Sequence, residues 1–242
     1  MLVSFLMCSC FNDDYNEDVL MDILYNNRDE RLFSYSSIPE SQKQMLWHEE
    51  FDNNDSKWPF DISRVYEIYD KYDYFPYTTA TISDGFLILT TTRWMFREER
   101  FDIPVIFEEN KNCEIEIRAL DRRNEISITF NNENEQEYST HLHTTTKDGV
   151  EILSLWGTAI YGIYGFLHYE IPQNCKWLSN QFNTVTIRKI ENNYAFFVNH
   201  SLFYVLNDKN LSDKNLFIKT VTLWIGNSNT MYDYVRVQYI ND

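Results

Sequence analysis

Thr184-Val-Thr-Ile-Arg-Lys-Ile190, Glu191-Asn-Asn193, Tyr194-Ala-Phe-Phe-Val198, Asn199-His200 and Ser201-Leu-Phe-Tyr-Val-Leu206 make up one unbroken stretch, and its reading decides the fold. Three runs rich in β-branched and aromatic residues are separated by two short Asn-containing breaks, the pattern of an antiparallel meander joined by tight hairpins. Asn tolerates a positive φ better than other residues that carry a Cβ, so Asn192 and Asn199 are expected at the turn positions that require it. The stretch predicts a compact antiparallel sheet.

The same signals extend outward from it. Cys113-Glu-Ile-Glu-Ile-Arg-Ala-Leu120 alternates cleanly, which predicts Ile115, Ile117 and Ala119 on a dry face and Glu114, Glu116 and Arg118 on a face looking away from the core. Thr79–Ile82 and Phe86–Thr90 flank Ser83-Asp84-Gly85, where Asp-Gly is the strongest hairpin signal in the chain. Further short strands are expected at Met45–Asp52, Phe101–Phe107 with Pro104 marking an edge, Glu125–Phe130, Glu137–Thr144, Val150–Leu155, Ile160–Tyr169, Leu216–Gly226 and Met231–Ile240. Roughly a dozen strands with hardly any helix predict an all-β fold, a two-sheet antiparallel β-sandwich.

Composition agrees with one such domain plus a tail. The chain has 242 residues, 17% of them aromatic, with only 6 Gly and 5 Pro, a balance that favours strands. Asp and Glu number 37 against 21 Lys and Arg, a formal charge of −16. That excess excludes nucleic acid as a partner, because phosphate contacts need clustered cations, and it leaves a membrane reachable only through an anchor. Of the 4 cysteines, Cys113 and Cys175 lie in the body, as buried free thiols or as a disulfide pair in an oxidising compartment. Neither their spacing nor any motif implies a metal or other cofactor.

Met1–Cys10 is an apolar run too short to span a bilayer, followed at once by Asp13, Asp14, Glu17 and Asp18. Met7-Cys8-Ser9-Cys10 resembles a bacterial lipobox, with Cys10 as the lipid anchor, and the acidic residues after it resemble the sorting signals of surface-exposed lipoproteins. No Lys or Arg precedes the run, a departure from that pattern. Three segments are expected: a signal-like remnant over 1–10, an acidic tether over 11–44 with a short helix near Val19–Leu24, and the sandwich over 45–242. The expected location is the cell envelope, on an outer-membrane lipoprotein exposed at the surface.

Leu46-Trp-His-Glu-Glu-Phe-Asp-Asn-Asn54 followed by Trp58, the Ile82–Leu89 hairpin, Cys113–Arg118, Asn183–Tyr204 and Asp233–Val237 together resemble a concanavalin A-like jelly roll of the laminin-G and family 16 glycosidase type. The resemblance runs from Leu46 to Ile240, and its loose motifs occur in the family's order. It implies lectins, glycosidases and mute spacers equally, since one scaffold hosts all three. A retaining glycosidase of this type carries two carboxylates about 5 Å apart on a Glu-x-Asp-x-x-Glu strand. Glu114 and Glu116 are the first candidates here, but Ala119 or Leu120 stands where the third acid belongs.

Other constellations each have a plainer reading beside the functional one. Glu116 and Arg118 on one strand face suit a sugar groove, although such a row is ordinarily a solvated, ion-paired sheet face. His141-x-His143 has a metal-compatible spacing without a third ligand. Trp94, Trp156, Tyr161 and Trp177 lie in or beside connections where stacking platforms for sugar rings are mounted, while packing under loops explains the same placement. The leading expectation is a non-catalytic, surface-tethered module that binds an oligo- or polysaccharide. A glycoside hydrolase and a structural spacer are the alternatives.

Overall fold

The computed structural model of the protein describes residues 29–52, 78–91, 99–120, 125–147, 150–160, 165–170, 175–207, 210–225 and 230–241. The chain divides into two units, residues 1–30 and Arg31–Asp242, and the second contains every strand described below. A one-turn helix, α1 (Glu30–Phe33), and two 3-10 turns at Tyr35–Ser37 and Glu40–Gln42 precede the first strand, β1 (Lys43–Glu49). The strands that follow are β2 (Thr78–Ser83), β3 (Phe86–Thr91), β4 (Glu99–Asp102), β5 (Asn112–Leu120), β6 (Glu125–Asn131) and β7 (Glu137–Lys147). They continue with β8 (Val150–Gly157), β9 (Gly165–Glu170), β10 (Asn183–Ile190), β11 (Asn193–Val198), β12 (Ser201–Leu206), β13 (Phe217–Ile225) and β14 (Thr230–Ile240).

These strands form two antiparallel sheets. One has eight strands in the order β12-β11-β10-β5-β14-β3-β2, with β1 also pairing with β14; the other has six, β4-β13-β6-β7-β8-β9. β3 pairs with Thr230–Tyr232 and β1 with Val235–Ile240, so both share one edge of β14 while β5 takes the other. The expected two-sheet sandwich is present.

Hairpin chemistry explains the meander. Asp84 (φ 55°) and Gly85 (φ 80°) are both left-handed, as are Asn199 (φ 48°) and His200 (φ 67°), which is what two-residue turns matching strand twist demand. In the turn between β10 and β11 the left-handed residue is Glu191 (φ 53°) and not Asn192. Backbone twist there overrides residue preference.

Alternating side chains of both sheets meet between them. Ile115, Ile117, Ile187, Phe196, Val235 and Val237 come from the larger sheet, and Ile126, Ile128, Phe130, Leu142, Leu155 and Leu223 from the smaller, all within one buried cluster. Burying side chains of this size stabilises by about 1.5–3 kcal/mol each. Cys113 and Cys175 are both free thiols within this core, so the disulfide considered between them does not exist. Gly157 (φ 145°) lets β8 lie against β7: a Cβ there would sit 2.0 Å from the Ser139 carbonyl oxygen.

The folded unit begins earlier than residue 45. Leu32 and Ile38 are buried, and Arg31–Gln42 packs on the larger sheet as described below, so a tether reaching to residue 44 is too long. The possible helix near Val19–Leu24 lies outside the described residues.

Candidate functional site

Glu114, Glu116 and Arg118 do share the face of β5 turned away from the core, with Ile115, Ile117 and Ala119 inside. The face is not solvated as the alternation suggested. Glu114 is 0% and Glu116 7% exposed, because Arg31–Gln42 lies over this part of the sheet. Alternation assigns a side chain to a face; it says nothing of what covers that face.

Arg188 on β10 pins the cover. Register places it directly opposite Glu114, with Gln238 of β14 on the other side. Its Nε donates to Glu114 Oε2 at 2.6 Å and Nη2 pairs with the same oxygen at 2.6 Å. Nη1 donates to the carbonyls of Arg31 (2.6 Å) and Ser34 (2.9 Å), and Nη2 to that of Tyr35 (2.8 Å). All five donors of a guanidinium that is fully buried are thereby used, the condition under which a buried charge is tolerated. Glu114 Oε1 accepts from Gln238 Nε2 at 2.7 Å and lies 3.1 Å from Lys43 Nζ. This pattern occupies Glu114 fully as a structural anchor.

Glu116 is held in the next row. Tyr35 and Thr186 hydroxyls donate to its Oε2 and the Tyr234 hydroxyl to its Oε1. Burial, with the Glu116 carboxylate adding to it, pushes the Tyr35 phenol well above its ordinary value, and the same two causes push Tyr234 up to about 12. Both remain hydrogen-bond donors at any physiological pH. Arg118 pairs with Asp233, and its guanidinium lies 5.1 Å above the Phe182 ring.

A second polar surface stands on the six-stranded sheet. Pairing runs Asp102–Thr222–Ser127–His141–Trp156, one residue from each of β4, β13, β6, β7 and β8. Their chain neighbours Ile103, Val221, Leu223, Ile126, Ile128, Leu142 and Leu155 point into the core, so the row occupies the opposite face. The Thr222 hydroxyl donates to Asp102 Oδ1 at 2.6 Å, and His141 Nε2 lies 3.1 Å from Ser139 Oγ. The His141 imidazole stacks on the indole of Trp156 with centroids 4.1 Å apart and planes 13° from parallel, and His143, paired in register with Ser154, meets the same indole edge-on. Ser127, His141, Ser154 and Thr222 are buried, and Trp156 is half-buried.

The structure thus separates the residues that sequence had grouped. Trp156 sits on the six-stranded sheet, whereas Glu116 and Arg118 sit on the other. Trp177, expected as a platform, is 8% exposed within the core cluster, so packing accounts for it. Trp94, Tyr161 and Cys10 lie outside the described residues. Among the described residues no three His, Cys, Asp or Glu side chains converge on a metal-sized site, His141 and His143 included. Ser127, Ser154, Thr222 and Asp102 were missed because each is an unremarkable polar position in its own strand; only strand order aligns them. Arg188 had a legible signal, as the first charge in the β-branched run from Thr184.

No protein-family model matches the sequence, and no curated protein does so either. Solved structures do match in fold. A structure described with endo-acting O-glycanases of prominent human gut microbiota members shares 12% identity, covering 82% of this chain and 100% of that one with a TM-score of 0.54. SCLam, a non-specific endo-β-1,3(4)-glucanase of family GH16, shares 15% identity over 84% and 92% of the two chains at a TM-score of 0.51. A Bacillus subtilis protein with a galectin-like fold shares 10% over 82% and 98% at 0.54. The fold these likenesses and the two sheets define is a concanavalin A-like jelly-roll sandwich.

Proposed function

We propose that the protein is a non-catalytic carbohydrate-binding module whose site is the polar face of the six-stranded sheet. The observation that carries this reading is the unbroken Asp102–Thr222–Ser127–His141–Trp156 row. The half-buried Trp156 indole, one face of which is stacked on His141, offers surface to sugar C–H groups and the exposed Asp102 carboxylate offers an acceptor to sugar hydroxyls, with Ser127 and Thr222 buried behind them as a polar backing. The glycan-directed activities in the names of similar folds support a carbohydrate reading only as company, since the likeness extends to the fold.

Hydrolysis is the less favoured reading. Its sequence candidates, Glu114 and Glu116, are a buried ion-pair partner and a carboxylate already accepting from three hydroxyls, neither arranged as an acid beside a nucleophile. The central positions Ser127, His141, His143 and Ser154 carry no carboxylate.

Glycan-array binding of the full chain tests the reading: retention is expected, and Trp156→Ala is expected to abolish it. Binding that survives Trp156→Ala rejects this face. Release of reducing sugar from a retained polysaccharide favours the hydrolase. Surface tethering through Cys10 is part of the proposal, supported by the lipobox-like Met7–Cys10; lipid-precursor labelling that persists in Cys10→Ala rejects it.

A further inference from the structure

We propose that a second, separate ligand site lies on the opposite sheet and takes a neutral, hydroxyl-rich molecule of about one sugar unit. The site is a pocket of about 380 Å³ where Tyr35 and Lys43 face Glu116, Arg236 and Gln238 of β5 and β14. That volume falls within the range of small-molecule clefts.

Its floor is built from buried polar groups. Glu116 and Gln238 are each 7% exposed. Arg236 is fixed from two sides: Nη2 donates to Glu50 Oε1 at 2.7 Å, and the guanidinium lies 4.1 Å above the Tyr234 ring. Its Nη1 stops 4.0 Å short of Glu116 Oε1. The gap is too long for a hydrogen bond, yet it separates a charged donor from a charged acceptor. A hydroxyl oxygen lying beside the gap, about 2.8 Å from each atom, bridges the pair by accepting from the guanidinium while donating to the carboxylate, which no purely donating or purely accepting group can do.

Charge narrows the ligand class. Both cations of the pocket are matched by carboxylates, Lys43 by Glu40 and Glu114 and Arg236 by Glu50, so no surplus positive charge awaits an anion. No three potential ligands converge on a metal among the described residues. A polyol uses both signs at once. The Tyr35 ring and Met45, which is 47% exposed, add apolar surface for its C–H groups.

The test is an NMR titration of the 15N-labelled full chain with methyl β-D-glucoside, methyl β-D-galactoside and methyl α-D-mannoside, following the side-chain amide signals of Gln238, which lines the pocket and is unaltered in every variant. A saturable shift with at least one glycoside is expected. Arg236→Leu is expected to weaken it about tenfold or more, because a hydrogen bond to a charged group is lost. Met45→Trp, which narrows the mouth at an exposed position, should weaken it as well, and Trp156→Ala should leave it unchanged. No saturable shift with any glycoside overturns the proposal, and so does tighter binding of methyl β-D-glucuronide than of the neutral probes. Binding lost on Trp156→Ala but indifferent to Arg236→Leu and Met45→Trp places the ligand on the other sheet and likewise overturns it. Conversely, binding that depends on Arg236 in a chain that fails on the glycan array removes the reading of the six-stranded face alone.

Discussion

Arg188 ties the segment ahead of β1 to the sheet through three main-chain carbonyls and one carboxylate. Removing one partner of a buried ion pair leaves the other unpaired, so Arg188→Met is expected to lower the unfolding free energy in urea by about 3–5 kcal/mol. Arg188→Lys should not restore it, since an ammonium cannot reproduce the planar fork. Glu114→Gln combined with Arg188→Met should cost less than the two single changes summed, because the residues share one network. Cys113 makes a second residue-scale prediction. Burial pushes its thiol from 9.0 up to about 12, while the nearby Lys189 opposes the shift. The folded state therefore holds a proton that the unfolded state releases between those values. Stability is full below pH 9 and falls as pH rises towards 12, and Cys113→Ala should flatten that fall in urea midpoints measured across the range. Proton uptake on unfolding in this window would contradict it.

At the scale of elements, the turns divide into those that local chemistry dictates and those it does not. Asp84-Gly85 and Asn199-His200 adopt left-handed conformations that their residues tolerate. Glu191 adopts one that its residue type does not favour, so Glu191→Gly is expected to stabilise the chain by up to about 1 kcal/mol, seen as a raised thermal midpoint. An unchanged or lowered midpoint would show that the Glu191 backbone carries no strain. Strand positions and inward faces were legible for the same local reason, a period of two. Neither sheet order nor cover is local. The row from Asp102 to Trp156 brings β13, distant in sequence, between β4 and the consecutive strands β6, β7 and β8, and the Glu114 face was misread because its cover comes from residues 31–42, far away in sequence.

For the whole molecule, the segment before β1 is a structural part of the sandwich. A chain starting at Ile38 loses Tyr35 from Glu116 and all three carbonyls from Arg188. It is expected to melt at lower temperature than the full chain and to lose glycoside binding in the Arg236 pocket, while glycan binding dependent on Trp156 persists. Equal melting temperatures would deny the segment its role.

Side-chain alternation and turn residues determined by themselves that this chain makes two-faced strands, where most of them run, and that the sandwich interior is Ile115, Ile117 and their like. The strand expected over Phe101–Phe107 ends at Asp102, however, and within Ile160–Tyr169 the described strand begins at Gly165. Tertiary structure alone decided which strands became neighbours, and hence that the expected carbohydrate-contacting residues fall on two different sheets, with Trp177 in neither site. The physical reason is that a strand's pattern records wet against dry along its own backbone, whereas a site depends on which distant backbone lies alongside or across it.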